Sequence, residues 1–331
     1  MTKRELHFSN VLRSRGVAFL ITVASVWMMR HALAMGAVEP LAPGMSYAFP
    51  PAAAWFSSPQ LSMWVNAACV VAVGALLIII NMTFNLLRTM SVFFAAFFML
   101  SVASTPVIGS QFGAHSLLAL CGVTGMLLIF RLYNRRRSDR LVFLIFFMLS
   151  ALGMVCYAAL LYVPVFAIGL WQMRILRFKK VLSAAVGLIV PLWIVYGLDI
   201  LPLPTGLPIL FVTPPTDLPA LVPGGWPAIA ATALTIFLLL TMGAVVAFRF
   251  LGLNARYRAF NGFLILLSLS TAVFAVVNFT NLPFYLMLLD ACLAIQVGHF
   301  FRITASRRGY IAMLIAMGGY IGIYFWAILS K

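Results

Sequence analysis

The sequence predicts an all-α, polytopic membrane protein of about eleven transmembrane helices, with a cytoplasmic N-terminus and a periplasmic C-terminus. Three observations carry that reading: an extreme apolar content, apolar segments that recur along the whole chain, and cations confined to alternate links. Of 331 residues, 64% are hydrophobic and 8% charged. Soluble domains carry roughly 45–50% apolar and about 25% charged residues. A water-soluble fold could not hide so much apolar surface, whereas a bilayer accepts it. Helices rather than strands are expected, because a lone helix bonds its own backbone in lipid and an open strand does not.

Apolar runs place the spans near residues 16–36, 64–87, 90–108, 114–133, 141–158, 160–174, 181–198, 227–249, 260–278, 282–301 and 310–329. They form one membrane-embedded domain over 1–331, with a short cytoplasmic tail at 1–15. The fifth and sixth spans share a stretch, 141–174, that has no charge until Arg174 and reads either as one long helix or as a hairpin. Arginines 131–140 precede it and Arg174, Arg177, Lys179 and Lys180 follow it. If both clusters face the cytoplasm, the chain crosses twice, with Tyr157, Tyr162 and Pro164 at the outer bend. The hairpin is the expected form.

The net charge of +16 raises nucleic acid as a partner, but the cations sit in short clusters between apolar runs, without a basic domain. No nucleic acid is expected; the partner is the lipid bilayer. With eleven spans, every Lys and Arg except Arg30 and Lys331 falls on one side, the pattern of cationic loops held in the cytoplasm. That assigns the chain to the inner membrane of a cell envelope. Glu39, Asp199 and Asp217 fall on the outer, periplasmic loops 37–63 and 199–227. Both loops are rich in proline, which removes a backbone donor and blocks helix continuation. They lie on the membrane surface or cover a cavity. At the N-terminus, basic residues precede the run Val17–Met29 and Ala32-Leu33-Ala34 resembles a cleavage site. Arg30-His31 is unusual before such a site, and the charge pattern fits an uncleaved first helix.

Polar groups inside lipid are costly and mark candidate sites. In the second span, Asn81, Asn85 and Arg88 fall within about 60° of one another at 100° per residue, a polar stripe near the cytoplasmic end. Asn66 extends it outward. The stripe reads as a substrate-binding track in which Arg88 meets an anionic headgroup, or as amides bonding between helices. The tenth span carries Asp290, Gln296 and His299. A carboxylate near mid-membrane needs a proton or an Arg or His partner, and Arg30, near the outer end of the first span, is one candidate. Proton coupling through Asp290 follows as a second reading. Glu39 alone, without neighbouring acids, is a weak match to polyprenol-dependent glycosyltransferases. Gly318 and Gly322 have GxxxG spacing, a close-packing motif.

No P-loop, GxSxG, HExxH, CxxC or dinucleotide fingerprint occurs, so no cofactor and no catalytic residue is assigned. The four histidines lack metal-ligand spacing, and Cys69, Cys121, Cys156 and Cys292 read as buried thiols. The stretch from about 76 to 198 resembles an uncharacterised family of multi-pass inner-membrane proteins from Bacteroidetes-type Gram-negative bacteria. The matching residues are Asn81-Met82-Thr83-Phe84-Asn85 with Arg88, Ser104-Thr105-Pro106, Phe130-Arg131-Leu132-Tyr133, Tyr157, Tyr162-Val163-Pro164, Trp171, Arg177-Phe178, Gly187 and Pro191. The resemblance implies a membrane bundle and carries no catalytic residues across. Three functions follow as expectations: handling of a lipid-linked or amphipathic envelope molecule, proton-coupled transport through Asp290, or a structural role among other membrane proteins of an envelope assembly.

Overall fold

A computed structural model describes residues 14–38, 49–87, 92–134, 138–200, 222–250, 255–303 and 307–330. Among them the protein is 86% helical, without strands. The longer helices, in chain order, are α1 Arg15–Ala34, α2 Pro59–Phe84, α3 Phe93–Ala103, α4 Ala114–Leu132, α5 Asp139–Val155, α6 Tyr162–Gln172, α7 Phe178–Gly197, α8 Gly225–Phe250, α9 Ala255–Val277, α10 Leu282–Ile303 and α11 Arg307–Leu329, with a one-turn helix, Pro106–Gly109, between α3 and α4. All eight of α1, α2, α4 and α7–α11 are long and apolar enough to cross a membrane. The chain is therefore a multi-pass membrane protein. Its outward faces agree: Phe19, Trp27, Met82, Phe178 and Leu329 are exposed in a way only an apolar solvent tolerates.

Local chemistry sets the helix ends. The Ser14 hydroxyl accepts from the Val17 amide and opens α1, and Pro59 starts α2 where a missing N–H costs nothing. The third span is shorter than its apolar run suggests. Thr105 precedes Pro106, takes an extended conformation and stops α3 at Ala103. An 11-residue helix rises only about 16 Å, short of a bilayer core of about 30 Å. All eleven α3 residues are buried, so protein rather than lipid surrounds it.

The 141–174 stretch is broken. Helix α5 ends at Val155, Cys156 is extended, and a 3₁₀ segment, Tyr157–Leu161, leads into α6. The far end of α6 lies beside the start of α9, where Gln172 borders Gly262. A cleft that joins the start of α9 (Arg256) to the end of α4 (Arg131, Asn134) lies at this same end, close in sequence to the start of α5. The chain thus goes in and comes back, as a hairpin does.

Burial sorts the bundle into layers. In α10, 94% of the spanning window is buried, and in α4 78%, whereas α1, α7 and α11 are near a quarter and form the rim. Glycines let core helices approach: a Cβ on Gly125 would press on the Phe166 ring, and one on Gly169 on the Phe263 ring. Rim helices are pinned by single polar contacts. The Tyr324 hydroxyl of α11 lies 2.8 Å from His31 Nδ1 and 3.1 Å from the Met28 carbonyl of α1. A Cβ on Gly318 or Gly322 would meet nothing within 4 Å, so this glycine pair takes no part in packing among the described residues.

The two ends of the bundle differ in charge. Arg131, Arg140, Arg177, Lys179, Lys180 and Arg256 cluster around clefts at one end. The other end gathers Thr105, Pro106, Val107, Trp226 and Trp326, and among the described residues no charged side chain lines its cleft. At the charged end the Lys180 ammonium, only 3% exposed, sits 2.9 Å from an Asp139 carboxylate oxygen, tying α7 to α5.

Candidate functional site

The asparagine stripe does not form one track. Asn66 is fully buried and works on backbone: its amide nitrogen donates to the Ile108 and Gly109 carbonyls at 2.8 and 2.7 Å, and its oxygen accepts from Ser116 at 2.6 Å. Those carbonyls end a buried one-turn helix, Pro106–Gly109, between α3 and α4, where lipid offers no hydrogen bonds. His115 Nε2 adds a 3.0 Å contact to the Ile108 carbonyl, and Ser62 accepts from the Phe112 amide. Fifteen residues on, about 22 Å along the helix, the Asn81 side chain accepts from the Leu87 amide at 2.8 Å and closes the end of α2. Between the two amides Val70, Val73, Leu77 and Ile80 fill the buried face.

Asn85 leaves the helix altogether. It is exposed and left-handed, at φ 50 and ψ 40, and ends α2 as a C-cap. Angular spacing at 100° per residue does not apply beyond that point. Arg88 lies outside the described residues. A left-handed backbone is open to Gly and tolerable for Asn, but costs a β-branched residue about 1–2 kcal/mol. Asn85→Gly is therefore expected to unfold within about 0.5 kcal/mol of the wild type and Asn85→Val to lose 1–2, by detergent unfolding titration. Equal losses in both would show that the side chain, not the backbone, matters there.

Asp290 sits on α10, 1% exposed. Its carboxylate is bonded by a hydroxyl from a neighbouring helix, with Thr235 Oγ1 of α8 at 3.0 Å from Oδ1. Tyr320 of α11 reaches the same Thr235 oxygen at 2.7 Å. Ser101 of α3 faces the carboxyl group, but its proton goes to the Phe98 carbonyl, and Oδ2 stays buried without a hydrogen bond. Arg30 is exposed on rim helix α1, and the ion pair found among the described residues is Lys180–Asp139. Among the described residues, the groups that meet Asp290 are hydroxyls rather than Arg30. Gln296 and His299, buried on the same helix, lie about 9 and 13 Å further along it. Gln296 reaches Ser268 at 3.4 Å, and its amide oxygen fills the space a Cβ would take at Gly243.

A second site was not singled out from the sequence. At the charged end, the ends of α2 and α4 and the start of α9 enclose an open cleft of about 630 Å³. Arg131 and Arg256 line it with Thr83, Tyr133 and Asn134, and among the described residues no carboxylate does. Its floor is aromatic. Phe84 meets Phe130 and Phe260 edge-on at 5.6 and 5.4 Å, and Phe130 stacks on Phe260 at 4.5 Å. The Arg256 guanidinium lies 5.3 Å from the Phe260 ring centre, held there by ring and charge. From sequence these arginines read as topology signals; only the folded chain puts two of them, 125 positions apart in sequence, on one cleft.

Among the described residues, no three His, Cys, Asp or Glu side chains converge as a metal site would need. No family model, curated protein or solved structure matches the chain. The resemblance over 76–198 therefore stands on its quoted residues alone.

Proposed function

We propose that the protein handles an amphipathic molecule with an anionic head, a lipid or a lipid-linked compound, at the charged end of the bundle. The Arg131–Arg256 cleft carries this reading. Two guanidiniums, with no competing carboxylate among the described residues, favour a phosphate or carboxylate head, which Arg meets with paired N–H donors. The aromatic floor beneath them suits the first apolar part of such a molecule.

The finer topology belongs to the same proposal. The bundle crosses the inner membrane about eleven times, counting the three shorter helices, with its charged end in the cytoplasm and its C-terminus in the periplasm. Cationic ends retained on the cytoplasmic side support that orientation. A tag fused after Lys331 should then be reached from outside spheroplasts, and one found in the cytosol reverses the map.

Binding tests the function itself. Wild-type protein in neutral detergent should hold a phosphate-headed lipid at least about tenfold more tightly than a zwitterionic one, read by native mass spectrometry or anisotropy. Two charge-assisted contacts at roughly 1.5–3 kcal/mol each predict at least a tenfold loss in an Arg131→Gln, Arg256→Gln double variant. Equal retention of both lipids by wild type, or unchanged binding by the double variant, rejects the cleft as the headgroup site.

A further inference from the structure

We propose that Asp290 is a proton-exchanging site of the bundle, with Thr235 and Tyr320 as the hydroxyl pair that rearranges when the proton leaves. The inference is independent of the charged-end cleft and rests on counting protons around one oxygen. Thr235 Oγ1 lies 2.9 Å from the Ala231 carbonyl, 3.0 Å from Asp290 Oδ1 and 2.7 Å from the Tyr320 hydroxyl. A threonine hydroxyl has one proton to give and two lone pairs to fill. The Ala231 carbonyl can only accept.

If Asp290 is neutral with its proton on Oδ1, all three contacts are hydrogen bonds. The carboxyl O–H donates to Thr235, Tyr320 donates to Thr235, and Thr235 donates to the Ala231 carbonyl. If Asp290 is ionised, Oδ1 and the Ala231 carbonyl both claim the single Thr235 proton, and one contact is stranded. Oδ2 then holds charge facing only the Ser101 hydroxyl, whose proton goes to the Phe98 carbonyl. Loss of the proton breaks the carboxyl O–H bond, leaves the electron pair on the carboxylate and passes the proton to water. Thr235 then turns its own proton from the α8 carbonyl to α10, so the protonation state of one acid is written into the contact between two helices.

The neighbours allow this. Around α10, helix α11 presents Tyr320, α8 presents Thr235 and α3 presents Ser101. Titratable groups on the other packed helices are Cys69 of α2, Cys121 with His115 and Arg131 of α4, and Arg256, Tyr257 and Arg258 in the first turn of α9. On α10 itself they are Tyr285, Cys292, His299 and Arg302. Among the described residues no cation pairs with Asp290, since the ion pair found there is Lys180–Asp139. A neighbouring cation would hold the acid ionised; hydroxyls leave it free to take and lose a proton.

Infrared difference spectroscopy on the full chain in nanodiscs of zwitterionic lipid tests this. The chain has six acidic residues in all, so a carboxylic C=O band can be assigned. The wild type should show a band that moves in D₂O, disappears in Asp290→Asn, and gives way to a carboxylate band as pH rises from about 4 to about 10. Thr235→Val, which keeps shape and removes the hydroxyl, should move that midpoint by about one pH unit or more. Tyr320→Phe supplies the same readout should Asp290→Asn fail to fold. A band that is missing at every pH, or constant across the range, or unmoved by both hydroxyl variants, overturns the proposal.

Discussion

Asn66→Ala should lower the stability of the folded protein by about 3 kcal/mol, since buried polar groups left without partners cost roughly 1–3 kcal/mol each. The mutation strands the Gly109 carbonyl and the Ser116 hydroxyl at once, and leaves the Ile108 carbonyl with His115 alone. Membrane helices usually lose less from a single interhelical bond, about 0.6 kcal/mol on average, because the unfolded chain finds other partners. The difference here is the acceptor. The Ile108 and Gly109 carbonyls end the one-turn helix Pro106–Gly109, beyond which no helical amide follows to bond them, so the fold depends on side chains to satisfy them. Ser116→Ala removes one bond and should cost only about 1 kcal/mol. Unfolding by denaturing detergent in mixed micelles gives both numbers. A loss below about 0.5 kcal/mol for Asn66→Ala would mean that water or lipid headgroups reach this stretch.

Gly187→Leu should be at least as damaging, by about 3 kcal/mol or more, since overpacking a filled site costs typically 1–3 kcal/mol and here meets backbone. A Cβ at Gly187 would lie 2.6 Å from the Phe143 carbonyl oxygen, 3.2 Å from the Phe147 amide nitrogen and 3.2 Å from Phe146 Cβ. Flexible side chains could swing aside; main chain of α5 cannot. The same seam holds the Lys180–Asp139 pair and the Ser150 hydroxyl bond to the Leu188 carbonyl at 2.7 Å, so a wedge at Gly187 strains them too. Gly318→Leu is the matched control, because the space around that glycine is open. It should stay within about 0.5 kcal/mol of wild type in the same assay. Similar losses at both positions would place the cost in helix propensity or insertion rather than in the α5–α7 contact.

The sequence located the helices well and the site poorly, for one reason. Helix position in a membrane chain depends on local composition, so each of α1–α11 overlaps one apolar run, several starting two to five residues before it, and the break at Cys156 follows from charge on either side of 141–174. Helix length was less legible. The apolar run 90–108 continues through Pro106 without a change in hydropathy, and only the extended Thr105 shows where α3 stops. The Asn81–Asn85 stripe failed at the same kind of point, a helix end hidden inside a periodic pattern. Parts of the outer loops (39–48 and 201–221), with Glu39 and Asp217, lie outside the described residues.

By itself, then, the sequence determined the solvent this chain needs, the order of its helices and the end at which its cations gather, because transfer free energy and charge retention are properties of short segments. It also marked Asp290 and Asn66 as groups that must be satisfied. Tertiary structure alone decided what satisfies them: Thr235 and Tyr320 for the acid, two carbonyls of a broken helix for the amide, and a shared cleft for Arg131 and Arg256. Partners that lie 30 to 125 positions away along the chain are chosen by packing angle and side-chain volume, which no periodicity within one helix contains.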